Sequence, residues 1–142
     1  MRFRFRLERM LRFLELREAV KKTETAALVQ RLKELEARRE TRQRTIQEVL
    51  GNYQRQLESG NQWVPYQVGK IQADSRELIR LEEDIHQTKL DVTRTKDELA
   101  RIAMRRKALA NLKEKRYAEF RLSESRLEQK RLDEMYRLVK GK

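Results

Sequence analysis

The 142-residue chain contains no cysteine, a single proline and four glycines. Without cysteine there is no disulfide framework and no thiolate metal site, which fits a reducing compartment. Apolar runs never exceed a few residues, far short of the ~20 that a membrane-crossing helix requires. The positive N-terminus is not followed by an apolar stretch, so no secretory signal is expected. Apolar volume is also scarce. Hydrophobic residues make up 38% of the chain and charged residues 41%, whereas a globular domain is nearer half apolar and a quarter charged. These deficits point away from a globule and toward a cytoplasmic protein.

What is abundant is helix-forming. Ala, Glu, Lys, Leu, Arg and Gln dominate, and acids alternate with bases along most of the chain, as on solvated helix faces. The expected fold class is all-α, a long antiparallel two-helix coiled-coil hairpin with a C-terminal helix overhang, forming one coiled-coil domain over residues 1–142. One stretch interrupts the pattern, Ser59-Gly60-Asn61-Gln62-Trp63-Val64-Pro65. Gly60 suits the left-handed position that closes a helix. Pro65 has no N–H to donate and disfavours helical geometry at Val64. Helix one is expected over about residues 5–58, the turn over about 59–66 and helix two over about 67–139.

In helix one, Leu28, Leu32, Leu35, Arg39, Arg42, Ile46, Val49 and Tyr53 follow the alternating four-three spacing of a coiled-coil seam. Leu7, Leu11 and Leu14 begin in the same frame, but Glu18, Lys21 and Thr25 then fall on it. A frame shift recovers Leu16, Val20 and Ala27, which predicts a stutter. In helix two the seam runs Ile71, Ser75, Leu78, Leu81, Ile85, Thr88, Val92, Thr95, Leu99, Ile102, Arg106 and Leu109, and a shift brings in Leu112, Tyr117, Phe120 and Leu127. The short connection favours antiparallel helices, with residue i facing roughly residue 125 − i. At 1.5 Å per residue the helices would measure roughly 80 and 110 Å. Helix two then outruns helix one, leaving Leu127, Met135 and Leu138 uncovered beside Leu132, Tyr136 and Val139.

The net charge of +12 is uneven. Residues 1–20 hold six Arg and three Glu, and residues 101–142 hold fourteen Lys/Arg and six Asp/Glu. The eighty residues between them are nearly neutral. The first segment, Arg2-Phe3-Arg4-Phe5-Arg6-Leu7, alternates with period two. Alone it would suit an edge strand or a membrane-touching arm. As helix it places Phe3, Leu7, Met10 and Leu14 on one stripe, and continuity with the following helix favours this second reading.

No constellation for catalysis is present. The chain lacks a Gly-rich phosphate loop, a GxSxG elbow and an HExxH pair. His86 is the only histidine, and consecutive helical acids at Glu82, Glu83 and Asp84 point in different directions. No catalytic residue, cofactor or metal is expected. Trp63 and Tyr66 suit a contact knob at the turn, because Trp and Tyr are enriched in binding hot spots; the alternative is that their rings only cap the seam.

Three segments carry a resemblance. Phe3-Arg4-Phe5-Arg6-Leu7-Glu8-Arg9-Met10-Leu11, the turn Trp63-Val64-Pro65-Tyr66-Gln67, and Arg126-Leu127-Glu128-Gln129-Lys130-Arg131-Leu132-Asp133-Glu134 resemble the start, turn and basic C-terminal run of the FliJ proteins of bacterial flagellar export. The resemblance implies an antiparallel coiled coil similar to the stalk of rotary ATPases. Its ends would enter the hexameric export ATPase, FliI-like, and stimulate it. The region toward the turn would meet the linker of an FlhA-like export gate, and unloaded export chaperones would be further partners. YscO-type proteins of virulence secretion are the related alternative.

On this reading the ring-binding residues are Arg4, Arg6, Arg9, Arg126, Lys130, Arg131 and Met135, and the gate-binding residues are Ile46, Val49, Tyr53, Trp63 and Tyr66. The protein would be cytoplasmic, peripheral to the inner membrane at the flagellar base. A competing expectation, a basic coiled coil that binds nucleic acid, is permitted by the pI near 10.3 and disfavoured by the neutral middle. A rotary-ATPase stalk subunit proper is a third alternative.

Overall fold

The computed structural model describes residues 2–60 and 64–141, without the side chains of Val64 and Pro65. Trp63 lies outside the described residues. Two helices account for nearly all of the rest: α1 (Glu8–Ser59) and α2 (Val64–Lys140). Among the described residues there is no strand and no helix apolar enough to cross a membrane. The protein is an all-α helical hairpin.

The ends of α1 follow from local chemistry. Glu8 sits in the first turn, where a carboxylate favours the positive end of the helix dipole. At the other end Gly60 takes φ 72°, the left-handed conformation that ends helices and that a Cβ disfavours. The Gly60 N–H donates to the Leu57 carbonyl at 3.4 Å. Helix α2 begins at Val64, three residues earlier than the sequence suggested. Pro65 falls in its first turn, where a missing N–H leaves no intrahelical bond unmade.

These positions give a pair of expected results with opposite signs. Gly69 is inside α2, and a Cβ there would meet open space. Gly69→Ala should therefore raise unfolding stability in urea by up to ~1 kcal/mol. Gly60→Ala should lower it by ~1 kcal/mol, because the left-handed conformation becomes strained.

The chain forms two compact units, one of residues 1–20 with 99–142 and the other of residues 21–98. In each, a stretch of α1 packs antiparallel on a stretch of α2. In the first unit Glu8 meets Lys113 and Glu18 meets Arg106. In the second, Lys21 meets Glu98 and Arg42 meets Asp74. Partner numbers fall as α1 numbers rise, which is the signature of opposed helix directions. The buried apolar residues are Leu11, Leu14 and Ile102 in the first unit and Leu35, Ile85 and Val92 in the second.

The expected stutter in helix one is absent. Leu7, Leu11, Leu14, Glu18, Lys21, Thr25, Leu28, Leu32 and Leu35 are all buried or half-buried in one unbroken four-three frame, whereas Leu16, Val20 and Ala27 are exposed. Polar groups hold the seam where apolar ones were expected, because each finds a partner there. Glu18 pairs with Arg106 across the helices. Lys21 Nζ lies 2.6 Å from Glu98. Thr25 Oγ1 donates to the Lys21 carbonyl at 2.8 Å, and Thr95 Oγ1 does the same to the Asp91 carbonyl. A buried hydroxyl bonded to its own helix is satisfied without breaking the ladder. Near the start of α2 Asp74 is buried where Ser75 was expected, and Ser75 is half-buried. The register is also offset, since Glu8 faces Lys113 rather than residue 117, a shift of about one turn.

The first residues depart from expectation as well. Residues 2–5 are not helical, and 6–7 form a turn. Phe3, Phe5 and Leu7 are half-buried while Arg2, Arg4 and Arg6 are exposed. The period-two pattern thus describes an extended arm, and helical continuity was the weaker signal. Burying two phenylalanines on one side of an arm outweighs the single turn of helix that would have turned them apart.

Candidate functional site

The strongest candidate surface is in the first unit, where the arm lies against α2. The Phe3 ring packs edge-on to Tyr117, centroids 5.3 Å apart, and tilted on Phe120 at 5.6 Å. Aromatic pairs favour such edge and tilted arrangements. Arg121 stands over the Tyr117 ring at 5.9 Å. A groove beside the arm is lined by Phe3, Phe5, Leu7, Leu112 and Phe120 together with Arg4, Arg6, Arg116, Glu119 and Ser123. Its lining is mixed apolar and charged, with Arg116 lying 3.8 Å from Glu119.

Beyond Phe120 every described residue of α2 is exposed. The uncovered side chains include Leu122, Leu127, Leu132, Met135, Tyr136, Leu138 and Val139, from 53% to 77% exposed. Leu132, Met135, Tyr136 and Val139 follow the i, i+3, i+4, i+7 spacing of one helix stripe. Arg126, Lys130 and Arg137 cluster on the other side of the helix, and the Lys140 ammonium lies over the Tyr136 ring, 5.2 Å from its centroid. Contiguous apolar surface of this kind on a solvated helix marks an interaction site. Seam residues Tyr117 and Leu127 are accordingly more open than the sequence pattern implied.

The predicted ring-binding residues divide among three elements of this unit. Arg4 and Arg6 lie on the arm, and Arg9 in the first turns of α1. Arg126, Lys130, Arg131 and Met135 lie on the exposed stretch of α2. Of the residues assigned to the gate, Ile46, Val49, Tyr53 and Tyr66 belong to the second unit, and Trp63 is outside the described residues. Ile46, Val49 and Tyr53 are half-buried on the α1 seam, so their first role is to hold the helices together. Tyr66 is 70% exposed and lines a shallow groove with Val49, Asn52 and Lys70. The mixed apolar and charged groove beside the arm was missed in sequence, although the period-two alternation of residues 2–7 was its signal.

Two titrating groups are perturbed by cross-helix pairs. The Lys113 ammonium, with help from Arg12, lowers the Glu8 carboxyl from its ordinary value of 4.5. Glu98, then Glu24, raises the Lys21 ammonium above its ordinary 10.5. The lowered Glu8 value stabilises the fold above the unfolded carboxylate pKa of roughly 4.3, and that contribution is lost as pH falls through the folded value. The raised Lys21 value stabilises below roughly pH 10.4 and is lost as pH rises through the folded value. Thermal melting across pH should therefore weaken at both extremes. Glu8→Gln should flatten the acid side alone, and Lys21→Met the alkaline side alone.

Among the described residues no group of His and acidic side chains could hold a metal ion. The fold and this surface define a helical hairpin with a basic, apolar helix end that no other described residue covers. Comparison with family models, curated proteins and solved structures finds no match.

Proposed function

We propose that the chain is a non-catalytic, FliJ-like component of the bacterial flagellar export apparatus, acting in the cytoplasm at the inner face of the membrane. It engages the hexameric export ATPase and stimulates it, and it connects that ATPase to an FlhA-like gate while handling unloaded export chaperones. The observation that carries the reading is the bare end of α2. Seven large apolar side chains between Leu122 and Val139 are exposed there, in company with basic residues. An oligomeric ring lumen with acidic and apolar walls would cover both. The arm adds Arg4 and Arg6, and Arg9 follows on α1, all on the same unit. Of the three segments that resemble the FliJ proteins, the first falls on the arm with the first turns of α1, the described part of the second opens α2 at Val64, and the third falls on this bare stretch.

The direct experiment mixes the purified chain with the export ATPase and scores copurification and ATP hydrolysis against added chain. Coelution with dose-dependent stimulation is expected. No coelution and no change in hydrolysis would refute the reading.

A further inference from the structure

Helix α1 carries a second apolar stripe that faces away from its seam. Phe13, Leu16 and Val20 are 59%, 66% and 50% exposed. Their i, i+3, i+7 spacing aligns them on one face. The seam residues Leu11, Leu14 and Glu18 are buried on the other side of the same turns.

The charges of this segment are segregated. At about 100° per residue, Arg9, Arg12 and Arg17 fall on the half of the helix that holds the stripe. Glu8, Glu15 and Glu18 fall on the opposite half. Arg12 retains a 3.4 Å contact to Glu8, but among the described residues Arg9 and Arg17 have no ion-pair partner. A solvated face would normally mix both signs, as the outward faces of coiled coils do. This one is apolar and cationic throughout, within a unit that holds nearly all the excess charge of the chain.

We infer that the outward face of α1 from Arg9 to Val20 docks an amphipathic helix of a partner protein, with acidic residues flanking its apolar stripe. Three apolar side chains at helical spacing match the anchors of a helix lying alongside another. The flanking arginines fix the sign of its rim and set the partner's approach. A second copy of this chain fits poorly, because the same face would bring arginines against arginines. The inference concerns a different helix from the bare end of α2 and holds whether or not the export reading does.

The test uses the full-length chain and a dye-labelled synthetic helix of about five turns, with Leu at i, i+3 and i+7 and Glu on both flanks. A matched probe carries Lys in place of Glu. Fluorescence anisotropy should show the Glu probe binding at least about tenfold more tightly than the Lys probe, with affinity that falls as salt rises. Phe13→Ser with Leu16→Ser should weaken binding at least about tenfold while circular dichroism and melting stay unchanged, since both residues are exposed. Arg9→Glu with Arg17→Glu should shift the preference toward the Lys probe, and Ile79→Ser, an exposed apolar residue of the second unit, should change nothing. Equal binding of both probes, or full binding by the Phe13/Leu16 variant, would overturn the inference. So would a dimer in sedimentation that dissociates in that variant, which would assign the face to a second copy. Binding to phosphatidylglycerol vesicles that the variant loses, with the Glu probe ignored, would assign it to a membrane and equally overturn it.

Discussion

Replacing Arg106 by Ala should destabilise the hairpin by about 2–3 kcal/mol, read as a lower urea midpoint with unchanged slope. Glu18 is 7% exposed on the seam, and Arg106 is its cross-helix partner. Removing the guanidinium takes the cross-helix cation from a carboxylate in a site with little water, and breaking a buried pair from one side typically costs 3–5 kcal/mol. The estimate is lower here because the Arg106 side chain is 29% exposed, so water partly replaces it. The double substitution Glu18→Leu with Arg106→Leu should recover all of that loss, because paired apolar residues of similar volume replace a buried ion pair at little or no cost. A double variant as unstable as the single one would mean that the pair stabilises the seam by more than mutual neutralisation.

That pair also shows why one part of the fold was not legible in sequence. The heptad frame of α1 is visible from Leu28 to Tyr53 and again from Leu7 to Leu14, and the structure joins them in phase. Between them Leu16, Val20 and Ala27 suggest a shifted frame, because they are apolar where Glu18, Lys21 and Thr25 are polar. Glu18 is held on the seam by Arg106, which lies 88 residues along the chain. Lys21 pairs with Glu98 on α2 as well as with its neighbour Glu24. No local window contains Arg106 or Glu98. The turn was legible, since Gly60 has the positive φ that its position implied. The extended arm was half legible. Its period-two alternation was plain, but its aromatic contacts to Tyr117 and Phe120 depend on residues more than a hundred positions away.

The polar seam and the bare helix end belong together energetically. Only six apolar residues are buried among those described, whereas more than that number of large apolar side chains stand exposed on the last turns of α2 alone. A chain selected only for its own stability would turn more of that surface inward. The apolar residues withheld from the seam are displayed outward, on Phe13, Leu16 and Val20 of α1 and along the end of α2. Both displays fall in the basic unit, which is where a binding role would place them.

Removal of residues 122–142 should separate folding from function. These residues are exposed wherever they are described, and the buried ion pairs and core residues all precede them. The truncated chain should keep its helical circular dichroism per residue and melt within a few degrees of the full chain, since the loss of exposed helix changes stability by about a kcal/mol or less. Stimulation of the export ATPase should nevertheless disappear, because the exposed apolar residues from Leu122 to Val139 and the basic residues Arg126, Lys130 and Arg131 go with it. The decisive measurement is ATP hydrolysis by the purified export ATPase titrated with the full and the truncated chain. The account predicts dose-dependent stimulation by the full chain and none by the folded truncation; full stimulation by the truncation would contradict it.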